Sequence, residues 1–261
     1  MNLDLTGKHA LVCGGSQGIG RAAAHELALL GADVTVLARS ADALERTVAE
    51  LPRRDGQGHA WIEVDMADTA VLRAKVSATL NAAPVQILVN NTGGPPGGPA
   101  HAADAAAYLD AFTRHLLANQ ALVQCVLPGM REGGYGRVIN VISTSVKEPI
   151  RNLGVSNTIR GAVASWAKTL AAELGPYGIT VNNVLPGYTR TQRLEQILAD
   201  RSAATGKTTT DVEQAMLATV PAGRFADASE IAAAIAFLAS PAAAYISGIN
   251  VPVDGGRTLS L

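Results

Sequence analysis

A glycine-rich stretch near the N-terminus has the residue types and spacing to bind phosphate. It reads Cys13-Gly14-Gly15-Ser16-Gln17-Gly18-Ile19-Gly20. The apolar run His9–Val12 precedes it, and a helical pattern, Arg21–Leu30, follows it. A strand, a glycine loop and a helix in this order turn backbone N–H groups and a helix N-terminus towards an anion. The stretch therefore predicts a phosphate cradle, the alternative being a plain turn, since turns use glycine freely.

The spacing G-x-x-x-G-x-G gives each of three glycines a separate role. Gly14 is predicted to allow the tight turn, Gly18 the close approach of the ligand, and Gly20 the packing of the helix against the strand. The side chains between them are predicted to line the same cradle: Ser16, Gln17 and Ile19.

The end of the second predicted strand bears on which dinucleotide the cradle would hold. Arg39 and Ser40 follow this strand, and no acid stands at its end. A carboxylate at this place holds the ribose 2′-hydroxyl of NAD, whereas an arginine suits the 2′-phosphate of NADP. The sequence therefore favours NADP over NAD, the alternative being that Arg39 is a solvated surface charge.

Apolar runs rich in valine and isoleucine alternate with helical patterns along the whole chain. This alternation predicts an α/β fold, a doubly wound parallel sheet (Rossmann fold), in a single domain over residues 1–261. The predicted strands are His9–Cys13, Asp33–Ala38, Ala60–Val64, Ile87–Val89, Arg137–Ile142, Thr180–Val184 and Asn250–Val253. The predicted helices are Arg21–Leu30, Ala41–Leu51, Thr69–Asn81, Ala103–Met130, Val155–Leu174 and Ser229–Ala239. The polar, irregular segment Pro186–Pro221 follows a strand end, where such sheets bind ligands, and is predicted to be a substrate lid.

Composition excludes several classes of protein. The 261 residues carry a formal net charge of −1, which gives no reason to expect nucleic acid or an anionic membrane as a partner. The N-terminus lacks a signal-peptide pattern, and no apolar run reaches the roughly 18 residues of a membrane span. Cys13 and Cys125 do not make a disulfide framework and are predicted to be small, buried core residues. A cytoplasmic location fits, and no metal site is predicted.

Further motifs follow the glycine loop in order. They are Asp65 at the end of the third strand, Asn90-Asn91-Thr92-Gly93 after the fourth, Pro186-Gly187 followed by Thr191, and the tail Val253-Asp254-Gly255-Gly256. With the glycine loop, they resemble the motifs of the short-chain dehydrogenase/reductase family, particularly its β-ketoacyl-acyl-carrier-protein reductase-like members. The resemblance covers nearly all of the chain.

The resemblance implies a nicotinamide cofactor and assigns these motifs to it. In the family, the acid at the position of Asp65 contacts adenine, and the Pro-Gly loop lies beside the nicotinamide amide. The residues predicted to bind the cofactor beyond the glycine loop are Arg39, Ser40, Asp65, Met66, Asn91, Gly93, Arg160, Pro186, Gly187 and Thr191.

The catalytic positions depart from the family pattern. Family members use Asn, Ser, Tyr and Lys; the tyrosine moves the substrate proton, and the lysine four residues later lowers the tyrosine pKa and holds the nicotinamide ribose. Here Ser143 supplies the serine, but Ser156 stands where tyrosine belongs and Arg160 where lysine belongs. His115 occupies the asparagine position, with Asn119 as the alternative one turn later.

These changes alter which residues are expected to move the substrate proton. The Ser156 alcohol has a high pKa and a shorter reach than a phenol, and Arg160 could hold ribose hydroxyls but cannot give up a proton. Imidazole titrates near 6.5, so His115 is predicted to relay a proton through water while Ser143 hydrogen-bonds the substrate oxygen. The alternative for His115 is a packed, structural side chain.

Two functions follow from this reading. The first is an oxidoreductase that passes hydride between NADP(H), or NAD(H), and a small-molecule carbonyl or alcohol; Ser143 and the full-length lid favour it. The alternative is a nucleotide-binding protein without redox activity, a sensor or non-catalytic subunit, which the Ser156 and Arg160 pair favours. A homodimer or homotetramer is predicted, as in the family, because two helices are apolar over more than one stripe. Their apolar residues include Leu116, Leu117, Leu122, Val123, Val163, Trp166 and Leu170.

Overall fold

Seven strands form one parallel sheet in the computed structural model, which describes residues 1–80 and 83–260. The strands are β1 (His9–Cys13), β2 (Asp33–Ala38), β3 (His59–Glu63), β4 (Ile87–Asn90), β5 (Gly136–Val141), β6 (Ile179–Pro186) and β7 (Asn250–Val253). Their order is β3-β2-β1-β4-β5-β6-β7, so the winding reverses between β1 and β4. In such sheets a ligand cleft lies outside the carboxyl ends of the strands at the reversal. The predicted doubly wound α/β fold is confirmed.

Helices cover both faces of the sheet. They are α1 (Gly18–Leu29), α2 (Ala41–Glu50), α3 (Thr69–Leu80), α4 (Ala105–Phe112), α5 (Ala118–Glu132), α6 (Gly154–Leu174), α7 (Gln192–Thr205), α8 (Thr209–Leu217) and α9 (Ala228–Ala239). One face packs against α1, α2 and α9, and the other against α3, α5 and α6. Asn81, the predicted end of the third helix, lies outside the described residues. Within those residues, no helix has the length and apolar character to cross a membrane.

The side chains of β1 alternate between the two halves of the core. Ala10 and Val12 pack on the α1 side, while Leu11 and Cys13 pack on the α3 side. Burial raises the pKa of the Cys13 thiol to about 12, so it stays protonated and acts as a small core residue, as predicted. The prediction that Cys125 is buried is wrong: it is only half-buried, at the exposed seam between α3 and α5.

The predicted helix Ala103–Met130 is interrupted. A wider, π-type turn over Thr113–Leu117 separates α4 from α5. A π turn adds one residue to the helix and is frequent at functional sites. The apolar pattern continues across the extra residue, which is why the sequence reads as one helix.

The prediction that the segment Pro186–Pro221 is irregular is wrong, because the segment contains α7 and α8. Thr208 and Asp211 form a capping box that starts α8. Among the described residues of these two helices, the buried ones are Leu194, Val212 and Met216. Because their apolar stripe is so narrow, the sequence pattern of these polar helices resembles that of a loop.

Four asparagines form a hydrogen-bonded row across the sheet. Asn90, Asn140, Asn183 and Asn250 stand in register on β4 to β7. Each side-chain Nδ2 donates to the Oδ1 of the next, at 2.9, 2.9 and 2.8 Å. The row ties together the strands whose carboxyl ends carry the motifs after β4, β5 and β6.

Replacing Asn140 with alanine is expected to lower the free energy of unfolding by at least about 2 kcal/mol. The change leaves the Nδ2 of Asn90 and the Oδ1 of Asn183 buried without partners, and each such group costs about 1–3 kcal/mol. Denaturant titration measures the effect, with the exposed Asn2→Ala as control. Equal unfolding midpoints for Asn140→Ala and the wild type would contradict the prediction.

Candidate functional site

A cleft of about 800 Å³ opens beside the carboxyl ends of the strands. The glycine loop, the turn after β4, the π turn, the end of β5 and the first turns of α6 and α7 border it. The predicted site residues line this cleft, except Gly20 and Asn119, the alternative at the asparagine position, which is buried in α5. They are Gly14, Ser16, Gln17, Gly18, Ile19, Arg39, Ser40, Asp65, Met66, Asn91, Gly93, His115, Ser143, Ser156, Arg160, Pro186, Gly187 and Thr191.

The glycine loop has the geometry of an anion cradle. Gly14 and Gly18 have φ angles of +60° and +53°, which residues other than glycine rarely adopt. Gln17 starts α1 without a side-chain cap, so the first-turn N–H groups are free to bind an anion. Gly20 packs against the loop rather than the strand, because a Cβ there would lie 2.1 Å from the Gly14 carbonyl oxygen.

Two neighbouring segments hold the glycine loop in place. Asn91 Nδ2 donates to the carbonyl oxygens of Cys13 and Gly14, at 3.3 and 3.5 Å. On the other side, a Cβ on Gly18 would lie 3.2 Å from Thr191 Cγ2. The glycine loop therefore packs against both the turn after β4 and the segment that follows Pro186-Gly187.

Charged groups gather where β2 and β3 end. Arg39 is exposed at the cleft edge, and the Ser40 hydroxyl accepts from the Ala43 N–H at the start of α2. The Asp65 carboxylate accepts from Arg114 Nη1 at 2.6 Å and from the Ala67 N–H at 2.9 Å. Burial opposes the shift, but these bonds and the nearby arginines lower the pKa of Asp65. This end of the cleft holds a fixed carboxylate, Asp65, and an exposed guanidinium, Arg39.

The two predicted serines face the cleft from different elements. Ser143 follows β5, and its Oγ accepts from the Ser145 N–H at 3.1 Å. Its own O–H therefore remains able to donate to a ligand. Ser156 lies in the first turns of α6 and is 9% exposed.

His115 lies at the middle of the π turn and is 3% exposed. Burial, the Arg160 charge and the Arg114 charge lower the pKa of His115 to about 2, against a hydrogen bond to the Gly93 backbone. The expectation of titration near 6.5 is therefore wrong, although the ring does line the cleft. A neutral imidazole still donates from one nitrogen and accepts at the other.

Arg160 is a buried cation. It is 7% exposed, and its Nη1 and Nη2 donate to the carbonyl oxygens of Val141 and Thr92, at 3.0 and 3.4 Å. Burial and the nearby Arg193 lower the pKa of Arg160 to about 10, so it stays charged at neutral pH. As expected from the sequence, it cannot act as a proton donor there.

The cleft lining also includes Arg114, Tyr188 and Arg193, which the sequence did not single out. Arg114 bridges Asp65 and Asp110, which tethers the π turn to the end of β3. Tyr188 is the one tyrosine that borders the cleft among the described residues. Tyr188 directly follows the Pro-Gly motif, and this position was the signal available in the sequence.

Comparison with known proteins places this site in a family. The family model described as Enoyl-(Acyl carrier protein) reductase matches residues 14–258. A 3-oxoacyl-acyl-carrier-protein reductase, FabG of Vibrio harveyi, is 35% identical over 258 residues, covering 97% of this chain and 98% of the relative.

Solved structures agree over the whole length. L-sorbose reductase from Gluconobacter frateurii, complexed with NADPH and L-sorbose, superposes with a TM-score of 0.93 at 28% identity and covers 100% of both chains. A variant of actinorhodin polyketide ketoreductase with NADPH gives a TM-score of 0.90 at 32% identity and covers 97% of both chains. The described site therefore lies in the same fold as two NADPH-bound reductases.

Proposed function

This chain belongs to the short-chain dehydrogenase/reductase family, and we propose that it transfers hydride between NADP(H) and the carbonyl carbon of a small molecule. In the reductive direction a ketone gains one hydride and one proton and becomes an alcohol. The observation that carries the proposal is the single cleft, which joins the phosphate cradle to Ser143, His115, Ser156 and Arg160.

The residues present fit the cofactor. When bound, NADP(H) supplies or accepts the hydride. The N-terminus of α1 and the loop glycines suit its diphosphate, Arg39 its 2′-phosphate, and the buried Arg160 fork its ribose hydroxyls. The two NADPH-bound reductases of the same fold support this assignment.

The proton follows a route different from that of the usual family tyrosine. The Ser143 O–H donates a hydrogen bond to the substrate oxygen, and His115 passes a proton from water towards the same oxygen. Because one ring nitrogen of the neutral His115 bonds the Gly93 backbone, its other nitrogen contacts the water of this route, and no cationic state is needed. Ser156 leaves room that a tyrosine ring would fill, and water or part of the substrate occupies that space.

Purified protein with NADPH and a panel of ketones tests the proposal. The panel holds β-ketoacyl thioesters, quinones, sugars and steroid-like ketones, and loss of the NADPH absorbance is followed. Turnover of any member, with the matching alcohol as product, supports the oxidoreductase. Binding of NADPH without turnover of the whole panel contradicts it.

The second candidate, a nucleotide-binding protein without redox activity, rests on Ser156 and Arg160. Neither group can donate a proton near neutral pH: the alcohol has a high pKa, and the pKa of Arg160 is about 10. An unreactive panel combined with tight NADPH binding is the outcome that favours this alternative.

Replacing Arg39 with alanine is expected to reduce the preference for NADP over NAD by about tenfold, because a guanidinium–phosphate pair is lost. Titration calorimetry with both dinucleotides measures the ratio. Arg46→Ala, which removes an exposed arginine of α2 outside the cleft, is the control. Equal wild-type affinities for the two dinucleotides would remove the argument from Arg39.

The α7–α8 segment and the oligomeric state complete the proposal. The residues of α7 that line the cleft are Gln192, Arg193, Leu194 and Ile197. The two helices α7 and α8 form a lid over the substrate. Leu122, Val123 and Val163 pack inside the protomer, whereas Leu109 and Leu117 are 66% and 44% exposed. These two leucines leave an apolar surface on α4 and the π turn for symmetric pairing into a dimer or tetramer.

A further inference from the structure

Two guanidinium groups border the same part of the cleft, one buried (Arg160) and one exposed (Arg193). Arg160 extends from α6, and Arg193 from the first turn of α7. The Nη2 atoms of Arg160 and Arg193 would lie 3.8 and 3.9 Å from a Cβ placed on Gly94. Both cations therefore border the same small space above the turn after β4.

Neither arginine has a carboxylate partner. The ion pairs within the described residues involve neither of them. Arg193 Nη2 donates to the Pro95 carbonyl oxygen at 3.0 Å, and Arg160 donates only to backbone carbonyls. The Nε of Arg160 is buried without a partner. A buried cation without an anion is costly, so this space is suited to a negatively charged group.

The other charges of the cleft have partners, either in the protein or in the cofactor of the proposed function. Its charged lining at neutral pH comprises Arg39, Arg114, Arg160 and Arg193 against Asp65 and Asp110. Arg114 pairs with both aspartates. Under the proposed function, Arg39 faces the 2′-phosphate and the α1 N-terminus faces the diphosphate. The ribose hydroxyls assigned to Arg160 are neutral, so Arg160 and Arg193 are left without an anion.

The pair lies beside the residues that are proposed to act on the substrate. Arg160 lies one helical turn after Ser156 on the same face of α6. Its Nη1 bonds the Val141 carbonyl oxygen, two residues before Ser143. We infer that Arg193, in the field of Arg160, binds a carboxylate of the substrate, so that the substrate class is oxo acids and the corresponding hydroxy acids. The inference rests on the proposed function for its cofactor assignment.

Binding to the NADP⁺-loaded protein tests the inference without requiring turnover. Calorimetry compares a series of aliphatic oxo acids with their methyl esters, levulinate and methyl levulinate among them. The wild type is expected to bind at least one acid about tenfold more tightly than its ester. Arg193→Gln removes that difference, and Arg193→Lys, which keeps the charge, restores part of it. Arg201→Gln, on α7 but outside the cleft, is the matched control and keeps the full difference.

The outcomes separate this inference from the proposed function. If no acid binds better than its ester, or if Arg193→Gln keeps the preference, the inference is overturned even where neutral ketones are reduced. A tenfold loss of NADP⁺ affinity in Arg193→Gln would place the anion in the cofactor diphosphate and also overturn it. An acid preference that Arg193→Gln removes supports the inference even if the whole ketone panel is unreactive.

Discussion

Replacing Ser143 with alanine is expected to slow ketone reduction by about 10²- to 10⁴-fold, with NADPH affinity unchanged. The Ser143 Oγ already accepts the Ser145 N–H, so its hydroxyl hydrogen is the group free to stabilise the substrate oxygen. His115→Ala is expected to fall in the same range, because the proton then lacks its relay. Single-turnover rates, with cofactor affinity measured in parallel, separate chemistry from binding.

Two control variants locate the proton donor. Ser156→Ala is expected to keep most of the activity, since the alcohol has neither the pKa nor the reach of the family tyrosine. Tyr188→Phe removes the only phenol that borders the cleft among the described residues and is also expected to remain active. Unchanged turnover in His115→Ala, or loss of activity in Tyr188→Phe instead, would contradict the assignment.

Local signals were enough to predict most of the residues that line the cleft from the glycine loop and the strand ends. The glycine loop follows a strand and precedes a helix, and β1 runs from His9 to Cys13 as predicted. The turn after β4 and the Pro-Gly segment reach the same cleft because the carboxyl ends of parallel strands share one edge of the sheet. For these elements, sequence order and strand direction fix the spatial outcome.

The features that sequence reasoning missed depend on contacts between distant segments. The asparagine row from Asn90 to Asn250 exists only because four separate strands align in register. The meeting of Arg160 with Arg193 depends on where α7 lies relative to α6. The low pKa of His115 comes from its burial and from Arg160, neither of which is visible from the residue type.

The buried His115 also makes stability depend on pH. Its pKa is about 2 in the folded protein and near 6.5 in the unfolded chain, so between these values the unfolded state binds more protons. Stability is therefore unaffected above pH 6.5 and falls as the pH decreases below it, by about 1.4 kcal/mol per pH unit for this one group. Lowering the pH from about 6.5 to about 4.5 is expected to cost about 2.3 kcal/mol through His115 alone, because the unfolded-state imidazole is already half protonated at pH 6.5.

His115→Asn isolates this contribution, because asparagine does not titrate. Denaturant unfolding of both proteins across this pH range gives the slope of the free energy of unfolding against pH for each. The wild-type slope is expected to exceed that of the variant by the amount that corresponds to about one proton taken up on unfolding. Any packing loss in the variant shifts its curve at every pH and leaves the slope difference intact. His101→Asn, at an exposed position, serves as the matched control. Parallel slopes for the wild type and His115→Asn would mean that the imidazole takes up a proton in the folded protein, and a cationic relay would then replace the neutral one.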